Sequence, residues 1–247
     1  MNWPNLARLS ILATFLLTWE FLAPLFFDTR FFPRWSEVFQ SGIGLFSSGK
    51  IYPHLGVTLY EFMAGLFIGS SIAVLFGLGV GVGRLEKTLD PFISTFYAVP
   101  KILLYPLFIL WFGAIAVESK IAFGAFAAFF PIATNIIASV REINPGFLRL
   151  SHSLGATTIQ KYRTVILPSI VPSLFAGLRL GVVLTLIAVL MAELIVAERG
   201  IGLLISSAAG SLQVSEMIAL LMIISIFSIS ITQALLVIEN RALRWSS

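Results

Sequence analysis

The 247-residue chain has no cysteine, which excludes a disulfide framework, a thiolate metal site and a cysteine nucleophile. It has two histidines, His54 and His152, far apart and without ligand-spaced neighbours, so no metal site is expected. Charge is equally scarce. Only 11% of residues are charged against 58% hydrophobic, with a mean hydropathy of +0.97, too little polar surface to cover a water-soluble globule. The net charge of +4 is spread thinly, with no basic run interleaved with aromatics, so no nucleic acid is expected as a partner. What remains is an integral membrane protein whose solvent is the lipid bilayer.

A spanning helix needs about 20 mostly apolar residues. Six stretches qualify: Leu6 to Phe27, Thr58 to Gly83, Phe92 to Gly113, Ile121 to Val140, Pro172 to Val196, and Val214 to Ile238. Arg8 followed by an apolar run mimics a signal peptide, but Glu20 interrupts the run and no small-x-small site follows, so it is read as a retained first span. The connection 28–56 carries Trp35, Phe39 and Phe46 among polar residues and is expected to form an outer interfacial helix. Within it, Gly44 to Ile51 reads GLFSSGKI, a near match to the phosphate-cradling loop. Ile51 stands where the magnesium-binding hydroxyl belongs, and no strand is expected before it, so this segment is not a nucleotide site.

Lys and Arg set the orientation. With the amino terminus inside, the cytoplasmic flanks hold Arg8, Arg84, Lys87, Arg141, Arg149, Lys161, Arg163, Arg241 and Arg244, against Arg30, Arg34, Lys50, Lys120 and Arg199 outside. That bias predicts both termini in the cytoplasm. The second span pairs small residues at Gly65/Gly69, Gly77/Gly81 and Gly79/Gly83, and the fifth at Gly177/Gly181, which lets helix backbones approach closely. In the third, Pro91, Pro100 and Pro106 each remove a backbone donor.

Ionisable residues inside the bilayer are costly and are expected to be paired or to face a cavity. Glu61, Lys101 and Glu193 are such residues. Lys101, beside Pro100, is expected either to line a pathway and offset the charge of a passing anion or to pair with a glutamate. Glu193 is expected at the exit of the fifth span, Arg179 to extend its stem to the interface, and Trp111 to join an aromatic belt. Asn135 is a weaker pathway candidate.

The polar stretch Arg149 to Pro168, RLSHSLGATTIQKYRTVILP, lies between two apolar runs and must meet water at a membrane face. Gly155, nine intervening residues and the run Val165-Ile166-Leu167-Pro168 resemble the cytoplasmic loop motif of ABC importer permeases. Arg149, Leu150 and Ser151 stand where that family more often has Glu-Ala-Ala. The run VPKILLYPLFILWFG (Val99 to Gly113), Asp90-Pro91, Phe130-Pro131-Ile132 with Asn135, LPSIVPSLFAGLRLG and MAELIVAERGIGLLI extend the resemblance from about Thr58 to Ile205. They are similar to the branch that imports sulfonates, taurine, nitrate and related solutes, in which the position of Glu61 is commonly basic.

The resemblance implies an all-α, six-span permease of the type I ABC importer class, one transmembrane domain over 1–247 with its core at 58–240. It implies a cytoplasmic coupling helix within 146–168 that docks on an ATPase subunit through Arg149, Ser151, His152, Leu154, Gly155, Ala156 and Thr157, with Leu167-Pro168 as its stop. Expected partners are two ATPase subunits, which bind the ATP and Mg this chain does not, a periplasmic or lipid-tethered binding protein, and a second permease copy. The expected location is the bacterial inner membrane. Pro100, Lys101, Asn135, Glu61 and Glu193 are the pathway candidates. An ion-gradient-driven secondary transporter or channel is the alternative, though it would have no use for a docking loop. Glu61 and Glu193 lie in no catalytic motif, so an intramembrane enzyme ranks last.

Overall fold

The computed structural model describes residues 3–82 and 85–243. Gly83, Arg84 and Arg244, used in the readings above, lie outside them. Among the described residues every regular element is helical. In chain order these are α1 (Trp3–Phe21), α2 (Ala23–Phe26), α3 (Trp35–Ser47), α4 (Ile51–Val82), α5 (Glu86–Ala98), a 3₁₀ turn (Lys101–Leu104), α6 (Tyr105–Phe112), α7 (Val117–Glu142), α8 (Pro145–Ser153) and α9 (Thr158–Lys161). A π turn (Tyr162–Ile166), α10 (Leu167–Ile195), α11 (Ile201–Gly210) and α12 (Val214–Ala242) complete the chain.

Among the described residues four segments are long and apolar enough to cross a membrane: Ile51–Val82, Val117–Glu142, Thr158–Ile195 and Val214–Ala242. They coincide with four of the six expected spans. The first expected span is instead a shorter apolar stretch, Ser10–Phe26, broken at Leu22 because Pro24 has no N–H to continue the ladder. The third is two helical pieces, Lys87–Ala98 and Lys101–Phe112, meeting at 90°. Its cause is local. Val99 precedes Pro100 and is held extended at φ −62°, ψ 132°, as the proline ring demands. α4 begins at Ile51 and is about 48 Å long by its rise per residue, so its first turns take up part of the connection expected to lie on the surface.

The helices group into two compact units, Met1–Thr58 with Glu193–Phe227, and Leu59–Ala192 with Ser228–Ser247. The second is organised around α7, buried along one side from Ser119 to Ser139. α4 lies against it on glycine: a Cβ added at Gly69 would sit 2.4 Å from the Ala125 carbonyl oxygen, and at Gly65 3.0 Å from that of Ile121. Gly77 and Gly81 make the same close approach to Ile136 and Val140, whereas Gly79 faces open space. The apolar seam joins Ala73, Ala128, Ile132, Ile136, Ile166 and Ile170. α6 packs on α7 through Tyr105 and Phe108, whose rings lie 5.1 and 5.4 Å from that of Phe123.

In the first unit Glu20 is spent locally. Its carboxylate accepts the Ser36 N–H and O–H, both at 2.9 Å, while the Trp19 indole donates to the Pro33 carbonyl at 2.9 Å. Together they fix the entry of α3, the helix expected at the interface, which leaves Phe39, Ile43 and Phe46 exposed. GLFSSGKI forms the end of α3, a left-handed turn at Gly49 (φ 74°) and the first residue of α4. A helix, not a strand, precedes it.

Candidate functional site

The polar loop is built from two short helices and a sharp turn. α8 starts on Pro145 and is capped by Asn144, whose side chain accepts the Gly146 N–H at 2.8 Å. It ends in a Schellman motif: the Ala156 N–H reaches the Ser151 carbonyl and the Gly155 N–H the His152 carbonyl, both at 3.0 Å, with Gly155 left-handed at φ 72°. α9 opens on a capping box. Thr157 accepts the Gln160 N–H at 3.3 Å, and Gln160 Oε1 accepts the Thr157 N–H at 2.7 Å. The loop is thus a defined shape whose polar groups are answered internally, and that frees its apolar side chains to face out.

Leu154, at the apex, is 77% exposed, and Phe147, Leu150 and Ile159 are exposed with it. Arg149, His152 and Gly155 are exposed, Ala156 is half-buried, and Ser151 is turned in, donating to the Leu148 carbonyl at 2.8 Å. Behind the loop lies a cavity of ≈ 750 Å³ lined by Glu142, Asn144, Leu150, Ser151, Thr164 and Ser173. Leu167 and Pro168, expected to end the loop, are the first residues of α10, and Thr158–Ile195 runs as one helical segment. The π turn is the reason. The Leu167 N–H bonds to the Tyr162 carbonyl five residues back, and this widened turn absorbs the donor that Pro168 lacks.

The pathway candidates do not converge. Glu61 is 0% exposed and faces Lys120, 2% exposed, at 3.7 Å. Lys120, counted among the outer flanking charges, is buried instead and also donates to the Ile115 and Ala116 carbonyls at 3.3 and 3.4 Å. Two charges that would be costly alone in an apolar core thus answer each other and hold the turn that leads into α7. Lys101 has another environment: its ammonium donates to the Tyr97 carbonyl at 3.0 Å and lies 4.6 and 5.5 Å from the Tyr97 and Phe130 ring centres. Among the described residues no carboxylate pairs with it. Pro100 sits at the 90° bend. Asn135 donates to the Pro131 carbonyl on its own helix at 2.7 Å. Arg179, expected at the interface, is paired with Glu239.

Glu193 lies inside the first unit, 1% exposed, at the end of α10. Its carboxylate accepts the Thr58 hydroxyl and the Gly202 N–H, both at 2.7 Å, and Thr58 Oγ1 accepts the Ile201 N–H at 2.8 Å. The Gly200 N–H donates to His54 Nδ1 at 3.1 Å. These groups satisfy the buried, otherwise unpaired donors at the start of α11, where the helix dipole favours a negative charge. Gly200 lies in the run MAELIVAERGIGLLI, but Thr58 and His54 carried no motif that would have paired them with it, because the partnership joins segments far apart in the chain.

The sequence matches the family described as "Binding-protein-dependent transport system inner membrane component" over residues 62–244. It is 30% identical over 259 residues to the taurine transport system permease protein TauC of Escherichia coli (strain K12), covering 99% of this chain and 92% of that one. It is 29% identical over 202 residues to the putative aliphatic sulfonates transport permease protein SsuC of Bacillus subtilis (strain 168), covering 81% and 73%. Among solved structures, an inward-facing conformation of the MetNI methionine ABC transporter has a similar fold, with a TM-score of 0.63 at 23% identity, over 78% of this chain and 99% of that one.

Proposed function

The chain belongs to the family of binding-protein-dependent transport system inner membrane components, and from that membership we propose that it forms the solute pathway of an ATP-driven importer for a small, anionic, sulfonate- or taurine-like compound. It is a permease subunit; ATP hydrolysis falls to a partner ATPase. In this reading α1 with α2 and the bent pair α5–α6 complete a set of six spans, both termini are cytoplasmic, and 146–168 is the coupling segment. Two ATPase subunits, a second permease copy and an extracytoplasmic binding protein make up the assembly. Lys101, the ammonium at the bend of the broken span, offsets the charge of the passing anion, and Pro100 and Asn135 shape the route on its side.

One observation carries the reading: the α8–α9 loop is closed by its own hydrogen bonds and apolar at its tip. Leu154 stands out on a left-handed glycine turn that needs no support from neighbours, the form expected of an element that seats in a groove of another protein and transmits its motion. ATP-driven closure of the ATPase pair would move this loop and with it the start of α10, to which α9 is continuous.

The natural absence of cysteine makes the test direct. Ala156→Cys is placed in membranes with the ATPase carrying a single cysteine in its groove, with and without ATP. A specific cross-link that changes with nucleotide is expected. Labelling of Ala156→Cys by an impermeant thiol reagent from outside, with no cross-link, would overturn the topology and the coupling role together.

A further inference from the structure

α11 closes with the same hydrogen-bond pattern as α8, but a different residue occupies the turn. The Gln213 N–H reaches the Ala208 carbonyl at 2.8 Å and the Leu212 N–H the Ala209 carbonyl at 3.2 Å. Leu212 holds the left-handed position at φ 56°, and it is the one non-glycine residue of positive φ among the described residues. A leucine pays backbone strain there that glycine would not. Nothing within the fold recovers it by burial, since Leu212 is 69% exposed. Strain kept in order to display an apolar side chain calls for a use outside the chain.

The surroundings say what kind. Leu212 borders a cavity of ≈ 490 Å³ whose other walls include Arg30, Ser41, Gln213, Ser215 and Glu216. Such a lining belongs in water, because hydrocarbon would leave its polar groups unanswered. Two ion pairs border it, Asp28–Arg30 and Lys50–Glu216, each at 2.6 Å. In both the cation is the more accessible member, 82% against 41% and 50% against 22% exposed. The rim is formally neutral, but its outward members around the apolar knob are the guanidinium and the ammonium. A central apolar anchor within a polar rim is the make-up of a protein–protein contact, and these outward cations call for an acidic partner surface.

We propose that Leu212, held out by the left-handed cap of α11 and bordered by Arg30 and Lys50, is the anchor on which the soluble extracytoplasmic binding protein docks, through an apolar pocket with an acidic rim. This rests on the importer reading, which puts residues 211–213 on the outer side. α11, about 15 Å long, is half the length needed to cross the hydrocarbon, and its buried start is tied down by Glu193 and Thr58. That tie sets the knob at a fixed position.

The test uses the permease–ATPase complex in nanodiscs, titrated with the binding protein purified with its resident solute; ATP hydrolysis is read alone and under stimulation. Leu212→Gly is expected to leave basal hydrolysis unchanged and to raise the half-saturating concentration of binding protein about tenfold or more. Leu212→Met is expected to restore it to within about threefold, and wild-type affinity is expected to fall as salt is raised from 50 to 300 mM, conditions chosen on the order of a few-fold change in screening length. Wild-type titration by Leu212→Gly would overturn the assignment. So would quenching of a fluorophore at position 212 by lipid-borne quenchers with binding intact, which would put Leu212 among lipid headgroups. A wild-type complex that assembles with the ATPase but ignores the binding protein would overturn it too, while an absent ATPase complex would instead strike the importer reading on which it depends.

Discussion

Gly155 in the α8–α9 loop and Leu212 after α11 occupy the same place in the same helix-ending motif, with φ of 72° and 56°. In the loop the turn itself is what matters: glycine adopts it freely, and the apolar contact is delegated to the neighbouring Leu154. After α11 the side chain sits on the turn residue, so the left-handed backbone is accepted at about 1–2 kcal/mol. A strained residue is informative because a cheaper one was chemically available. The two positions also differ in where their preceding helices are anchored. α8 starts on an exposed Asn144 cap, whereas α11 starts on buried donors answered by Glu193 and Thr58.

The largest effect is expected at a third positive-φ position. Gly200 has φ 135°, and an added Cβ would lie 2.3 Å from the Glu193 Cδ. Gly200→Ala is therefore wrong in both backbone and space, and a loss on the order of 3 kcal/mol is expected, seen as a lower melting temperature in detergent. Melting at the wild-type temperature would mean that Glu193 is not held over the α11 start.

Gly155→Val separates backbone from packing, since no atom lies within 4 Å of the Cβ it would add. Its whole penalty is conformational, about 1–2 kcal/mol. ATP-driven uptake is expected to fall roughly tenfold, with Gly155→Asn retaining most activity because asparagine tolerates the left-handed region. Equal uptake by the valine variant would show that the turn is dispensable. Leu212→Gly should move stability the other way. Relief of about 1–2 kcal/mol of strain, less about 0.5–1 kcal/mol for glycine's greater freedom when unfolded, leaves a gain of about 0–1.5 kcal/mol. A lower melting temperature would show that the leucine packs within its own chain.

The smallest effect concerns the rim. The Arg30 side chain and, next, its backbone N–H hold the Asp28 carboxyl down to about 2. A lowered folded value means that the pair's contribution is fully present above the unfolded carboxyl range near 4 and is lost as pH falls through about 2. The pairing should therefore be constant from pH 8 to pH 5, as a ¹³C titration of the Asp28 carboxyl would report; a midpoint above 4 would mean that Arg30 is not seated on it.

Much of the loop was legible in the sequence. Gly155 and the spacing to Leu167-Pro168 are local signals, and they located a turn and the start of an apolar run. The role of Leu167-Pro168 as a helix opening was not, because it depends on the π turn before it. The four long spans followed from apolar length. The bend at Pro100 was suggested by proline but its 90° was not, since extended geometry at Val99 permits many angles. Glu61 and Glu193 looked alike as intramembrane acids, yet one is met by an ammonium and the other by a hydroxyl and a backbone N–H.

By itself the sequence determined that this is a helical membrane protein with a polar loop of defined length between apolar runs, because hydropathy, proline and glycine act within a few residues of where they stand. The tertiary structure alone decided which group answers each buried charge, since desolvation is repaid only by whichever distant segment folding brings within hydrogen-bond reach.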